Sequence, residues 1–507
     1  MELLANLAQG FEAALSPALL FYCAVGVTIG TMVGVLPGIG PLVAISVLFP
    51  MTFHVPADAA LIMLAGIYFG AQYGGSTASI LLNLPGTAAN AVTCLDGYPM
   101  ARKGRAGVAL FMTTIASFAG GCAALVVLVL LTPLIVQIAL NFGAPEYFAL
   151  MVLGLLAAAT LSVGSPIKGI AMVTLGVLLG LVGTDVNTGQ YRFVFGMQGL
   201  ADGLNLVALA MGLFGVSEII GRLMSGDVAT RPARVGWRQM VASRQDLRDS
   251  AIPMARGSAW GVLSGILPGA GPSLAAFLAY GSEKRMSATP ERFGHGAIEG
   301  LAAPEAANNA SVQAAFIPTL SLGIPGDAVM ALVLGALIVH GIQPGPNLIP
   351  NNPELFWSLV ASFFVANIFL MVLNLPLIGL WVRLLSIPYS VLYPVVLIFI
   401  CVGVYSLRLS VFDVGVVLVF GAVGYGMHLV RLPTAPLLLG FILGTPLEEN
   451  LRRALLISRG DLSVFVTRPI AATLLALSVL LVLVAVVTTV VRQRRRRAEA
   501  SGLQNGA

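Results

Sequence analysis

The sequence predicts an all-α polytopic membrane protein with two inverted-topology repeats, broken helices and re-entrant hairpins, and about 11–12 transmembrane helices. Three observations predict it. Of 507 residues, 58% are hydrophobic and 10% are charged, with a mean hydropathy of +0.93, whereas a soluble domain carries about 25% charged residues. So little polar surface cannot coat a water-soluble globule of this size. A membrane helix needs about 20 apolar residues, so the chain has room for many spans. The third observation is a long-range self-match. Together these exclude a cytosolic enzyme, a disordered protein and a nucleic-acid binder.

The first segment contains Glu2 and Glu12 but no basic residue before position 17. It lacks the positive region of a cleaved signal peptide, so the first apolar segment is expected to stay in the protein. Next comes GVLPGIGP at 34–41, which recurs as GILPGAGP at 265–272 with six of eight positions identical and an offset of 265 − 34 = 231. A second pair follows in the same order, LNLPG at 82–86 and LGIPG at 322–326, offset 325 − 85 = 240. Each half reads as a helix interrupted at the P-G-x-G-P motif, a hairpin bent at Pro-Gly, and four further helices. In the first half these four lie at about 106–132, 145–163, 167–184 and 203–222.

The resulting organisation is a first repeat over 1–222, a basic cytoplasmic linker over 223–252, and a second repeat over 253–457. The segment 458–507 adds one unmatched helix and an Arg-rich cytoplasmic tail. The linker contains Arg231, Arg234, Arg238, Arg244 and Arg248, and the tail is RQRRRR at 492–497. Positive-inside bias puts both in the cytoplasm with Arg102, Lys103 and Arg105, and leaves the N-terminus outside. An odd number of crossings per half follows, hence inverted repeats. The counterpart of the 102–105 loop, GIQPGPNLIP at 341–350, carries no charge, as an external loop should. One feature dissents: Lys284, Arg285 and Arg292 fall outside in this reading.

Pro37 and Pro268 remove backbone donors, and the glycines after them favour non-helical angles. The backbone groups freed there must be buried in protein or face a water-lined cavity. A lone Gly-Pro motif is usually a kink, but paired interruptions in two halves are the pattern of transporter substrate sites. The expected substrate-binding set is therefore Pro37, Gly38, Gly40, Ser76, Thr77, Asn83, Gly86, Thr87, Asn90, Gly269, Gly271, Ser321 and Gly326. Helix N-termini suit carboxylates, and Ser, Thr and Asn add neutral hydrogen bonds. The plainer reading makes Thr87 and Asp327 simple N-caps and the small residues packing contacts.

For coupling to a cation (Na⁺ or H⁺), Asp327 is the expected carboxylate, with Asn308 and Asn309 as companions, because intramembrane acids are costly and often functional. Glu305, Asp202, Glu218 and Asp413 are expected near interfaces or helix ends, and Lys168 is expected to snorkel. No cofactor and no resident metal are expected. The four cysteines (Cys23, Cys94, Cys122, Cys401) and four histidines (His54, His295, His340, His428) show no ligand spacing, and there is no phosphate loop for ATP.

At these residues the chain resembles the large membrane subunit of the tripartite tricarboxylate transporters, the TctA family. The resemblance is carried by GVLPGIGP (34–41), YFGAQYGGSTASILLNLPGTAANAVTCLDGYPMARKGRAG (68–107), GILPGAGPSLAAFLAYGSEKR (265–285) and PEAANNASVQAAFIPTLSLGIPGDAVMALVLGAL (304–337). It implies a multi-pass permease of the bacterial inner membrane, N-terminus periplasmic and C-terminus cytoplasmic. The implied partners are a small four-helix membrane subunit and a periplasmic solute-binding protein. It further implies import of citrate-like or other organic carboxylates, driven by Na⁺ or H⁺. A dianion entering against about 150 mV costs roughly 7 kcal/mol, which co-transported cations can supply.

Two other classes compete. An intramembrane enzyme, such as a lipid transferase or protease, would need an acid pair, metal ligands or a nucleophile–base set. A passive anion channel would favour charged rings in a symmetric oligomer. Neither pattern is evident in the sequence.

Overall fold

The computed structural model describes residues 2–36, 40–139, 141–161, 165–185, 188–225, 239–267, 269, 271–345, 347–385 and 389–504. Pro37, Gly38, Pro268, Arg231, Arg234 and Arg238 lie outside the described residues. The first half contains α1 (Glu2–Ala14), α2 (Pro17–Val35), α3 (Gly40–Thr52), α4 (Ala57–Leu82), α5 (Thr93–Met100) and α6 (Ala106–Ala139). It continues through α7 (Ala144–Leu161), α8 (Pro166–Gly180), a two-stranded hairpin, α9 (Leu206–Ala210) and α10 (Ser217–Ser225). The second half contains α11 (Arg244–Ile266), α12 (Gly271–Met286), α13 (Ile298–Ala314), α14 (Phe316–Leu322), α15 (Ala328–Val339), α16 (Leu348–Asn351) and α17 (Pro353–Asn374). After α18 (Ile378–Leu384) come α19 (Tyr389–Arg408), α20 (Val411–Leu429), α21 (Thr434–Ile457), α22 (Val464–Thr467) and α23 (Pro469–Gln504).

Among the described residues, five helices are long and apolar enough to cross a membrane: Pro17–Val35, Thr93–Thr132, Pro353–Asn374, Val411–Leu429 and Pro469–Val487. Six shorter apolar helices of 10–17 residues accompany them. The chain is an all-α polytopic membrane protein.

Two compact units form. One holds residues 1–140 and 205–425, the other 141–204 and 426–507. In the first, α2 and α4 run parallel, because Gly26, Gly30 and Gly34 rest in order on the backbone of Met63, Ile67 and Ala71. A Cβ at any of the three glycines would overlap that backbone. Small residues let membrane helices approach this closely. The second half repeats the arrangement: Gly257, Gly261 and Gly265 rest on Ala303, Ala307 and Ser311. The offsets are 257 − 26 = 231 and 303 − 63 = 240, the two read from the motifs.

Parallel α2 and α4 require the intervening chain to reverse. The break after α2 is thus a turn-back rather than a kink, and α3 runs antiparallel to its neighbours. Gly40 and Gly271 begin the returning helices at φ 65° and φ 64°, left-handed angles that favour glycine. At the second pair of breaks, Asn83 and Gly323 end α4 and α14 in the same left-handed conformation, φ 58° and 72°.

The two halves run in opposite directions. Ile80 of α4 packs in one cluster with Leu301 of α13, while Phe69 of α4 meets Phe316, just past the end of α13, with ring centroids 5.8 Å apart. As α4 rises from 69 to 80, the second half falls from 316 to 301. Helix α17 runs with α4, since Phe69 meets Phe363 and Tyr73 meets Asn367.

This reversal corrects the placement of Lys284, Arg285 and Arg292. Lys103 Nζ donates to the His295 carbonyl at 2.7 Å, and Asp96 Oδ1 accepts from the backbone N–H groups of Gly294, Gly296 and Ala297 at 2.7–3.0 Å. Arg105 pairs with Asp246 at 2.6 Å. The loop after α12 therefore lies on the face of the 102–105 turn and the linker. Counting α11 and α12 as one interrupted span had moved it across the bilayer. The charges that dissented now obey the positive-inside rule.

Unit 1 also pairs α9–α10 with α20: Gly212 abuts Val417, and Gly424 abuts Leu213. In unit 2, α8 and α21 meet in the same manner, Gly176 on Leu437 and Gly440 on Val173. The last helix of each half thus packs against a helix of the other half. Unit 2 also holds an ion cluster of Asp185, Arg192, Glu448 and Arg452, a pair between Arg468 and Glu146 at 2.8 Å, and Lys168 donating to the Val430 carbonyl at 2.7 Å.

Candidate functional site

The site lies within unit 1, where the breaks of each half converge. In the first half, Gly86 sits against the Gly34 carbonyl and Gly75. Its counterpart Gly326 sits against the Gly265 carbonyl and Ala315, and the Gly269 N–H donates to the Gly326 carbonyl at 2.8 Å. Any side chain at Gly86 would collide with backbone. The interrupted helix and the bent hairpin are therefore locked together at matching positions, which leaves unwound backbone inside protein rather than in lipid.

Around these breaks the side chains form two polar groups. Asp327 caps α15 through Oδ1, which accepts from Val329 and Met330 N–H at 2.8 and 2.9 Å. Its Oδ2 accepts from the Tyr68 hydroxyl of α4 at 2.6 Å. The carboxylate thus ties the second half's hairpin to the first half's long helix, and a helix N-terminus favours its negative charge. No hydrogen bond joins Asp327 to Asn308 or Asn309 among the described residues.

The other group centres on Glu305, which is 0% exposed in the middle of α13. Oε1 accepts from Asn90 Nδ2 at 3.0 Å and from the Thr93 hydroxyl, while Oε2 lies 3.4 Å from Ser117 Oγ and 3.3 Å from Asn308 Nδ2. Asn309 Nδ2 donates to Ser117 Oγ at 2.8 Å and to Asn308 Oδ1 at 2.5 Å. Thr87 Oγ1 stands 2.6 Å from Asn90 Oδ1 and 3.0 Å from Gln72 Oε1. Glu305 is not at an interface or helix end, contrary to expectation. Neutral dipoles, three from the opposite half and Asn308 from its own helix, hold it, and a buried carboxylate is tolerated only when so bonded.

The structure brings together Thr87, Asn90, Asn308 and Asn309, with Gly86 adjoining them at the break. Ser76 and Ser321 are buried but turn their hydroxyls to the carbonyls of Tyr73 and Ile317 in their own helices. Thr77 is buried, and Asn83 is exposed at its cap. Gly40, Gly269 and Gly271 shape the turn-backs. Sequence reasoning missed Tyr68, Gln72 and Thr93, which carry no repeat signal, and Ser117, whose match to Ser362 marked the repeat but not a site.

The geometry is that of paired breaks lined by neutral donors and two carboxylates. The profile of the tripartite tricarboxylate transporter TctA family matches residues 20–439. The chain belongs to the TctA family. An uncharacterised 52.8 kDa protein in the TAR-I ttuC' 3' region of Agrobacterium vitis is 52% identical over 482 residues, covering 94% of this chain and 95% of the relative. An uncharacterised protein in the TAR-II ttuC' 3' region of the same organism is 55% identical over 222 residues, 44% of this chain and 92% of that protein. No solved structure matches. As a TctA-family chain, it is the large membrane subunit of a tripartite tricarboxylate transporter, working with other subunits.

Proposed function

We propose that the chain is the permease of a cation-coupled importer of citrate-like or other organic carboxylates. A periplasmic solute-binding protein delivers the substrate, and a small four-helix subunit accompanies the permease in the bacterial inner membrane. The N-terminus faces the periplasm and the C-terminal tail the cytoplasm. The observation that carries the reading is the antiparallel pairing of α4 with α13, which brings two matching sets of unwound backbone to one buried polar region. Inverted repeats meeting at broken helices are how secondary transporters build a site open alternately to each face.

In this reading Thr87, Asn90 and the unwound backbone at the two breaks receive the carboxylates. The Gly40, Gly269 and Gly271 turn-backs, with Ser76, Thr77, Asn83 and Ser321, frame the approach. A co-transported cation offsets the buried carboxylate charge that the substrate meets. Movement of the hairpins against the long helices opens the site alternately.

The test is uptake by the three-component transporter in proteoliposomes. Accumulation of a labelled carboxylate above equilibrium, abolished by collapsing the Na⁺ or pH gradient, is the expected result. Uptake indifferent to both gradients sinks the coupling, and equilibration without accumulation indicates a channel.

A further inference from the structure

We infer that Glu305, with Asn90, Thr93, Ser117 and Asn308, forms the binding site for a small monovalent cation, and that this site rather than Asp327 holds the coupling ion. The inference rests on the transport reading above and names the ion class and the residues.

Glu305 is fully buried, and no lysine, arginine or histidine bonds it among the described residues. The charges on the elements around it are already spoken for. Arg256 of α11 pairs with Glu283 of α12 at 2.7 Å, and Asp96 of α5 is occupied by the backbone at 294–297. Tyr73 of α4 and Cys94 of α5 are the other ionisable groups that face it, and neither supplies a positive charge at neutral pH. One carboxylate thus stands without a countercharge in a low-dielectric interior, where a charge is costly unless paired. A single negative charge is balanced by a single positive one, which favours a monovalent cation as the fitting ligand.

The shell is that of a dehydrated ion. A proton would need the carboxylate and one acceptor. Here the two carboxylate oxygens, the Thr93 and Ser117 hydroxyls and the amide groups of Asn90 and Asn308 converge from three segments of the first half and from α13 itself. Each amide presents its nitrogen to Glu305, standing in for a positive charge. Turning each amide over presents oxygen instead and completes an all-oxygen cage of the kind hard cations require. The bonds disturbed by that turn are local: Thr87 and the Gln72 carbonyl for Asn90, and Asn309 for Asn308. Asp327 has no such freedom, because its Oδ1 is held by two backbone N–H groups of α15, which cannot turn an oxygen toward an ion.

The site also couples to the substrate region by construction. Asn90 bonds both Glu305 and Thr87, and Thr87 directly follows Gly86 at the first half's break. An ion that turns Asn90 re-sets the hairpin where the carboxylate is expected to arrive.

The test uses the full chain in detergent, with Na⁺ as probe against choline at constant ionic strength and pH. Na⁺ should raise the unfolding midpoint, as a ligand that binds only the folded state does. Glu305→Gln should abolish that shift. Thr93→Val should weaken the apparent Na⁺ affinity by about tenfold, the equivalent of one charge-assisted contact, and Thr93→Ser should restore it. A wild-type midpoint equal in Na⁺ and choline overturns the inference, as does a Glu305→Gln chain that keeps the full shift. This measurement needs no uptake. A chain that binds Na⁺ here yet moves no carboxylate would refute the transport reading alone.

Discussion

The Tyr68 hydroxyl donates to Asp327 Oδ2 at 2.6 Å, so one hydrogen bond joins the longest buried helix of the first half to the first turn after the second half's break. Its acceptor is ionisable and sits at a helix N-terminus, where charge-assisted bonds contribute about 1.5–3 kcal/mol. Tyr68→Phe keeps the ring and removes only the hydroxyl. It should lower substrate uptake by about tenfold or more while the chain remains folded. Asp327→Asn should do likewise, because it keeps the cap geometry and loses the charge. Uptake by proteoliposomes, read beside thermal unfolding, checks both; wild-type uptake in both variants would remove this pair from the mechanism.

Close helix approach predicts a different class of defect. Gly30 faces the backbone of Ile67, and Gly261 faces the backbone of Ala307 and the Ala310 methyl. Adding a methyl at either forces a parallel pair of helices apart, and overpacking of this kind costs about 1–3 kcal/mol. Gly30→Ala and Gly261→Ala should lower the unfolding midpoint and the monodisperse yield in detergent. Because the two positions are repeat equivalents (261 − 30 = 231), the two losses should be similar in size. Gly281, whose added methyl meets nothing within 4 Å, is the control that should tolerate alanine.

That equivalence explains what was legible in the sequence. The motif offsets, 231 and 240, recur at glycines and helix partners that no motif contains, so duplication fixed the architecture well beyond the matched residues. The repeat itself says nothing about residues present in one copy. Glu305 has Ala65 as its counterpart (305 − 240 = 65), and Tyr68 has Asn308, so neither drew attention as a pair. The turn-back after α2 was also hidden. A Pro-Gly break is written identically whether the chain kinks or reverses, and only the register of Gly26, Gly30 and Gly34 on α4 tells them apart.

Sidedness follows from that reversal. Lys103 and the 294–297 segment share a face, whereas α17 begins on the other because it runs with α4. In a background without native cysteines, Lys103→Cys and Arg292→Cys should react with an impermeant thiol reagent from one side of sealed vesicles. Asn351→Cys should react from the opposite side. Labelling of position 292 together with 351 would return the loop after α12 to the outside and undo the reversal.

The linker offers a pH test. Burial pushes the Asp246 carboxyl up, but hydrogen bonds from Arg105 and from Ser243 outweigh it and hold it below the usual range. A carboxyl depressed on folding contributes its stability in full above its unfolded value, about 3.9, and loses it as pH falls through the lower folded value. The start of α11 should therefore loosen only in that acidic window, by a small amount because Arg105 is 43% exposed. Amide exchange at 243–248 should accelerate there in the wild type. Asp246→Asn should exchange at a rate that ignores pH after correction for intrinsic chemistry, and an equal pH response in both would assign the effect elsewhere.

Asn90 tests whether Glu305 and the first half's hairpin act as one. Its Nδ2 meets Glu305 at 3.0 Å and its Oδ1 meets Thr87 at 2.6 Å, so alanine there strips a donor from a buried carboxylate and an acceptor from the hairpin. Ser117 meets the same carboxylate at 3.4 Å, a longer and weaker bond. Asn90→Ala should therefore depress uptake more than Ser117→Ala, by about tenfold if the difference is one bond to a charged group. If Glu305 only braced the fold, both variants would shift the unfolding midpoint and uptake per folded molecule would stay constant. A loss of uptake in Asn90→Ala that exceeds its loss of folded protein separates the two roles.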